Sequence, residues 1–133
     1  MRLWRITANR PPVLLLDPRM GHAAELALQL ELHGFPTHIE ASAGAAHAAV
    51  EHAHFATLIV IADLHDAVGL DWLDDLRRTA PRSWMIVASP LCDRKACNLV
   101  YRHGGDACIT VPVSIDDLIR RLTAFQLRAR PLF

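Results

Sequence analysis

The chain has no excess of charge of either sign. Its 133 residues contain 14 basic and 14 acidic side chains, and the formal net charge is zero. A balanced charge gives no electrostatic basis for direct binding to nucleic acid. The apolar runs stop well short of the roughly 20 residues that span a bilayer, and the N-terminal sequence MRLWRITANRPP lacks the apolar core of a signal peptide. Neither nucleic acid nor a membrane is therefore predicted as a direct partner.

Cysteine is scarce, and none of it forms a CxxC pair. The three thiols are Cys92, Cys97 and Cys108. An odd number of cysteines without secretory features is typical of a reduced, cytoplasmic protein. Cys92, at the start of a predicted helix, is a candidate reactive thiol; an inert thiol is the simpler interpretation.

Histidine is frequent but poorly spaced for a metal site. His47, His52 and His54 do not line one helical face as an i, i+4 pair would. His65 and Asp66 adjoin Asp63, and with Asp17 they are an alternative set of transition-metal ligands. Surface histidines are the simpler interpretation for all of them.

Apolar residues make up 52% of the chain, which is enough for a core. Five short strands, three of them continuous apolar runs, alternate with helical segments. The predicted strands are 13–17, 37–41, 56–63, 84–89 and 107–111. This alternation predicts one α/β domain with a parallel sheet covered on both faces. We expect the domain to span residues 12–127, with tails at 1–11 and 128–133.

Polar residues end three of these strands, and an apolar residue ends a fourth. Asp17, Asp63 and Ser89 are the polar strand ends, and Val111 is the apolar one. Right-handed crossovers place the carboxyl ends of parallel strands at one edge of the sheet, where open α/β folds keep their ligand sites. We expect these four residues to lie at that edge.

This pattern resembles the receiver domain of two-component response regulators over about residues 12–127. Asp17 precedes Gly34 by the spacing that the family shows between its first acidic residue and the glycine closing the first helix. Ser89 precedes Val111–Pro112 by the family's spacing between the Ser/Thr and its Lys-Pro pair. HGGDACITVP resembles the family's AGADDYLTKP. The resemblance implies a flavodoxin-like (βα)5 three-layer fold with strand order 2-1-3-4-5.

The resemblance also assigns roles to residues. Asp63 matches the phosphoacceptor, Asp17 one acidic ligand of Mg²⁺, and Ser89 the hydroxyl that bonds a phosphoryl oxygen. Three positions depart from the family: Pro18 replaces the second acidic residue, Val111 the Lys, and Cys108 the aromatic switch residue. Removing a Mg²⁺ ligand and the Lys takes charge stabilisation from the phosphorylated state. Pro90, after Ser89, should stiffen a loop that normally moves.

We therefore expect an atypical bacterial receiver, acting as a cytoplasmic regulatory interaction module rather than an enzyme, with no cofactor or weak Mg²⁺. Its partner would be a histidine kinase, an output domain such as a transcription regulator, or another regulator. The resemblance also implies a homodimer surface on helix 4, strand 5 and helix 5. Its candidate residues are Tyr101, Arg102, Val113, Ile115, Asp116, Arg120 and Arg121.

Two alternatives stay open from the sequence. The first is a functional phospho-receiver in a two-component phosphorelay, with Mg²⁺ held by Asp17, Asp63 and the carbonyl of His65. The second is a flavodoxin-like or nucleotide-binding enzyme. The first loop, DPRMGHAAE, weighs against the second because it is neither GxGxxG nor a P-loop. The chain is either a single-domain protein or part of a longer regulator.

Overall fold

The structure is a computed structural model that describes residues 12–19, 21–64 and 67–131, without the side chains of 67–69. Five strands alternate with five helices. The strands are β1 (Val13–Leu16), β2 (Thr37–Glu40), β3 (Thr57–Ile61), β4 (Trp84–Ser89) and β5 (Ala107–Thr110). The helices are α1 (Ala23–Leu32), α2 (Ala43–His52), α3 (Ala67–Thr79), α4 (Arg94–Arg102) and α5 (Ile115–Gln126).

The strands form one parallel sheet in the order β2-β1-β3-β4-β5. The register pairs Leu16 with Val60 across β1 and β3, and Ser89 with Thr110 across β4 and β5. This arrangement is the flavodoxin-like α/β fold, and it confirms the predicted class and strand order. The strand ends fall at one carboxyl edge, as expected for right-handed crossovers.

Helices cover both faces of the sheet, because alternate strand residues point to opposite sides. Leu15, Ile59 and Ile86 face α1 and α5, whose Leu30 and Leu122 are fully buried. Leu14, Leu58 and Val87 belong to the second core, with Ala46 of α2, Leu73 of α3 and Val100 of α4. The two cores make the three layers of the fold.

Short polar side chains start three of the helices. Ser42, Asp93 and Ser114 each accept a hydrogen bond from the main-chain N–H three residues on, so each satisfies one of the free N–H groups of its helix. Two features of the structure require a glycine at position 104, shortly after α4. Gly104 has a φ of +93°, and an added Cβ would lie 2.6 Å from Cγ of Arg77.

Asp106 is the centre of an ionic network at the amino edge of the sheet, just before β5. Its carboxylate accepts from Arg77 at 3.0 Å, from Nε of Arg130 at 2.9 Å and from the N–H of Met85 at 2.9 Å. Burial, followed by the charge of Arg130, lowers the pKa of Arg77 to about 10. We call Asp106, Arg77 and Arg130 the amino-edge network.

The segment after α5 contacts the domain. The Trp84 ring stacks on Phe125 with a centroid distance of 4.3 Å, and the Arg128 guanidinium lies 5.2 Å from the Trp84 ring centroid. Arg130 also donates to the carbonyl of Pro81 at 3.1 Å. Residues 128–131, predicted as part of a tail, are thus held against β4 and the amino edge. The predicted tail at 1–11, with Trp4, lies outside the described residues.

Within the part of the chain that the structure describes, every helix is too short or too polar to cross a membrane.

Candidate functional site

A pocket of about 250 Å³ opens at the carboxyl edge of the sheet. It is lined by Asp17, Pro18, Arg19, Gly21, His22, Ile61, Ala62, Asp63, Trp72, Pro90 and Val111. We call it the carboxyl-edge pocket. It brings together four of the residues singled out from the sequence, namely Asp17, Pro18, Asp63 and Val111. Their assigned roles remain predictions, but their shared location is a feature of the structure.

Asp17 follows β1 and is 1% exposed. One carboxylate oxygen accepts from the N–H of Arg19 at 3.2 Å, and the other accepts from the N–H of His22 at 2.9 Å. A buried carboxylate is tolerated when such bonds satisfy it. The carboxylate of Asp17 therefore holds the start of the loop between β1 and α1 in place, which is a structural task at a position where the sequence predicted a metal ligand.

Asp63 follows β3 and is exposed at the pocket. A strand-terminal position of this kind suits a carboxylate that an external group must reach. His65, the third ligand of the sequence-based Mg²⁺ hypothesis, lies outside the described residues, as does Asp66. The structure therefore describes two of the three groups proposed for that site.

Ser89 ends β4 and is fully buried. Its hydroxyl accepts from the N–H of Leu91 at 3.3 Å, and its carbonyl accepts from the N–H of Val111 at 3.0 Å. Among the described residues, Pro90 lines the pocket and Ser89 does not. Ser89 thus shapes the loop before α4, and the pocket wall beside it is the ring of Pro90.

Val111 lies in the pocket wall and also packs against the core shared by α1 and α5. Where the receiver family has a Lys ammonium, this chain has two methyl groups. An apolar wall cannot pair with a phosphoryl oxygen, so Val111 removes an electrostatic contact and adds packing. The Val111–Pro112 peptide bond is cis.

A guanidinium and an imidazole reach the pocket from a different segment of the chain. Arg19 and His22 line it from the loop between β1 and α1, and both residues are exposed. The pocket therefore combines two carboxylates with one guanidinium and one imidazole. The sequence reasoning missed Arg19, although its place two residues after Asp17 in a loop at the carboxyl edge was a usable signal.

The receiver fold raises the question of Mg²⁺. This ion demands near-octahedral oxygen ligation. Of the two carboxylates in the pocket, Asp17 is buried with both oxygens accepting main-chain N–H groups, and Pro18 offers no side-chain oxygen. The described residues do not fit a preorganised Mg²⁺ site.

The predicted dimer surface is formed by α4, β5 and α5, and we call it the α4–β5–α5 face. Tyr101, Arg102, Asp116 and Arg120 are exposed on it, whereas Val113, Ile115 and Arg121 are half-buried. Arg121 donates to Asp117 at 3.1 Å, four residues earlier on the same helix. On α3, by contrast, Asp74 contacts His103 and Arg78 contacts Asp75.

The cysteines converge, which the sequence did not indicate. The Sγ atoms of Cys92, Cys97 and Cys108 all lie within 4.8 Å of one another. The histidines considered as alternative metal ligands show no such arrangement within the described residues, where His47 pairs with Asp75 and Glu51.

No protein-family model matches the chain. A probable transcriptional regulatory protein of Sinorhizobium fredii is 31% identical to it over 116 residues. The match covers 87% of this chain and 50% of the relative. The chain thus spans about half the length of that protein.

Solved structures of receiver domains superpose on nearly the whole chain. A two-component response regulator from Clostridium difficile has a TM-score of 0.81 at 15% identity, covering 90% of this chain and 98% of that one. The receiver domain of a Francisella response regulator has a TM-score of 0.80 at 23% identity, covering 90% and 98%. A CheY-like receiver domain protein from Methanospirillum hungatei has a TM-score of 0.79 at 22% identity, covering 89% and 94%. The chain has the receiver fold.

Proposed function

We propose that the chain is an atypical receiver domain, a non-enzymatic regulatory module that acts by binding other proteins and does not depend on phosphorylation. The receiver fold and the similarity to a probable transcriptional regulatory protein support the regulatory part of this proposal. The makeup of the carboxyl-edge pocket supports the independence from phosphorylation.

The single observation that carries the proposal is the electrostatic content of that pocket. A phosphoryl group on Asp63 would face the apolar side chain of Val111, beside an Asp17 whose carboxylate already accepts two main-chain N–H groups. Loss of one preorganised charged or polar contact typically lowers a rate by about 100-fold or more. Two such losses leave little to stabilise the transfer of a phosphoryl group.

The proposed partner is a protein, such as a histidine kinase, an output domain or another regulator. The α4–β5–α5 face supports this choice because it combines an exposed aromatic ring at Tyr101 with the arginines Arg102 and Arg120. Aromatic and Arg side chains are enriched in protein–protein interfaces. The same face is the proposed homodimer surface.

The test is the intact mass of the full chain after incubation with Mg²⁺ and a small phosphodonor such as acetyl phosphate. Asp63→Asn is the matched control, because it keeps the shape of the side chain and removes the nucleophile. We expect no phosphoryl mass on either protein. A stoichiometric adduct on the native chain that is absent from Asp63→Asn would contradict the proposal.

The second candidate function is a phospho-receiver with a rearranged site. The observation that favours it is the presence of Arg19 and His22 in the pocket that exposes Asp63. The charge of the Arg19 guanidinium would take the place of the missing Lys beside a phosphoryl group, and the His22 imidazole would add a hydrogen-bonding group. Arg19→Ala would then abolish the adduct at Asp63 without unfolding the chain.

Magnesium binding separates the two candidates by a second route. Trp72 lines the pocket, so its fluorescence reports on the occupancy of the pocket, with Trp72→Phe as the control for the other tryptophans. A saturable change at millimolar Mg²⁺ that Asp63→Asn removes would favour the phospho-receiver. The atypical receiver predicts no such change.

A further inference from the structure

Three thiols from three segments meet beside the amino end of α4. Cys92 lies in the loop after β4, directly before the helix cap Asp93, Cys97 lies within α4, and Cys108 lies within β5. The Sγ atoms of Cys92 and Cys108 are 2.7 Å apart, and those of Cys92 and Cys97 are 3.5 Å apart. Among the described residues that line the carboxyl-edge pocket, none is a cysteine, so this cluster is a separate site.

We propose that Cys92, Cys97 and Cys108 form a binding site for one Zn²⁺ ion, with its fourth position open to water or an external ligand. Each thiol would bind as a thiolate and release its proton to solvent. The proposal goes beyond the regulatory function above and does not depend on it.

The geometry suits the ion. Zinc–thiolate bonds of about 2.3 Å in a tetrahedral arrangement place the sulfur atoms about 3.8 Å apart. The three sulfur atoms here already lie within 4.8 Å of one another, and those of Cys92 and Cys108, 2.7 Å apart, must separate by about 1 Å to reach this spacing. All three cysteines are half-buried, so the cluster is neither sealed in the core nor fully exposed to solvent.

The charge balance favours a divalent ion over a monovalent one. Three thiolates with Zn²⁺ leave one net negative charge, whereas three thiolates with Cu⁺ leave two. The site lies at the amino end of α4, where the helix dipole stabilises negative charge. Arg94 and Lys95, the first two residues of the helix, add exposed positive charge, against one carboxylate from Asp93. One net negative charge is the amount this setting can balance.

The competing role for the cluster is a redox pair, in which two of the thiols form a disulfide. A disulfide uses two sulfur atoms and leaves the third without a bond, whereas one Zn²⁺ ion binds all three. The convergence of three thiols rather than two therefore favours the metal site.

The test uses the reduced full chain, with Zn²⁺ as the ligand and Co²⁺ as the spectroscopic probe. We expect one ion per chain and, with Co²⁺, a sulfur-to-metal charge-transfer band in the near ultraviolet. Cys92→Ser, Cys97→Ser and Cys108→Ser should each lower the affinity by about 100-fold or more, since even an outer-shell change costs 10- to 100-fold. Far-ultraviolet circular dichroism of each variant checks that it folds. If Cys108→Ser fails to fold, Cys97→Ser serves as the ligand deletion.

The matched control is His47→Gln. His47 lies between Asp75 and Glu51, so the variant removes a metal-binding type of side chain at a position away from the three cysteines. We expect this variant to bind Zn²⁺ as the native chain does. Binding that survives all three Cys variants, or a Co²⁺ complex without the charge-transfer band, would overturn the proposal. The proposal would also be overturned if air oxidised two of the thiols to a disulfide, seen as a mass loss of two hydrogens, at a rate that Zn²⁺ does not change.

Discussion

At the amino edge of the sheet Asp106 contacts two guanidinium groups, whereas at the carboxyl edge Asp17 contacts two main-chain N–H groups and shares its pocket with Val111. Both carboxylates are largely removed from solvent. The amino-edge network joins α3, β5 and the segment after α5, so its charges hold separate parts of the fold together. In the carboxyl-edge pocket, the carboxylate of Asp17 contacts the main chain of the loop that follows it. The amino-edge network therefore supports the architecture of the domain as a whole, whereas the contacts of Asp17 support one loop.

The largest expected effect is at the amino-edge network. Asp106→Ala leaves Arg77 and Arg130 without their shared carboxylate and removes an acceptor from the N–H of Met85. We expect the free energy of unfolding to fall by about 3 kcal/mol, because a partly buried ion pair has lost one partner. Urea denaturation followed by circular dichroism measures it. Asp74→Ala is the control, since Asp74 is exposed in its pair with His103 and should cost under about 1 kcal/mol. Equal losses in both variants would refute the comparison.

The next effect concerns the two pocket positions that depart from the receiver family, Pro18 and Val111. Pro18→Asp with Val111→Lys places the family's residues at these two of the three departing positions. We expect phosphorylation of Asp63 by acetyl phosphate to become detectable where the native chain shows none, because each restored contact typically raises such a rate by about 100-fold or more. Val111→Lys alone serves as the intermediate control. Its phosphorylation rate should be lower than that of the double variant, because Pro18 offers no side-chain oxygen to a metal ion. Time courses of intact mass give the rates. No gain in the double variant would show that the loop held by Asp17 prevents the chemistry.

A smaller effect is expected at Asp17 itself. Asp17→Ala removes the acceptor for the N–H groups of Arg19 and His22 and exposes the start of α1 to rearrangement. We expect a loss of about 2 kcal/mol in the free energy of unfolding, less than for Asp106→Ala, because no charged partner is stranded. Asp71→Ala, at an exposed carboxylate of α3, should change stability by at most about 0.5 kcal/mol. A loss at Asp17 above that at Asp106 would invert the comparison.

The smallest expected effect concerns His47 and its two carboxylate partners, which lie on α2 and α3. Hydrogen bonds from the imidazole of His47 to Asp75 and then to Glu51 raise its pKa above 6.5. The pairing therefore stabilises the fold fully below pH 6.5, and this contribution is lost as the pH rises through the pKa of the folded state. Titration of His47 by NMR measures the shift. Asp75→Asn should return the pKa toward 6.5, and an unchanged titration curve would contradict the assignment of Asp75 as the main cause.

The fold followed from local patterns in the sequence. The apolar runs around Leu15, Ile59 and Ile86 predicted buried strands, and their alternation with helical segments predicted the parallel sheet. The strand-terminal positions of Asp17, Asp63 and Val111 predicted their convergence at one edge, because topology alone places them there.

Contacts between distant segments could not be predicted in this way. The thiols of Cys92 and Cys108 meet only because β5 lies beside the start of α4, and no short motif marks that contact. The contacts of Asp106 with Arg77 and Arg130 depend on how α3 ends and on the path of the chain after α5. The hydrogen bonds of Asp17 depend on a loop whose path the sequence does not fix. Each of these contacts depends on how distant segments pack in three dimensions, and the hydrophobic periodicity of the sequence carries no information about that packing.

The contact between Arg130 and Asp106 also determines on which side of the domain a group attached near residue 131 would lie. Arg130 and the stacked Trp84, Phe125 and Arg128 hold the chain near residue 131 against the amino edge of the sheet. A strand of β4's six residues spans about 20 Å, so the carboxyl-edge pocket lies on the far side of the domain. A dye or surface anchor attached through this end of the chain would leave that pocket facing solution, which makes it the favourable point for immobilising the protein in a binding assay.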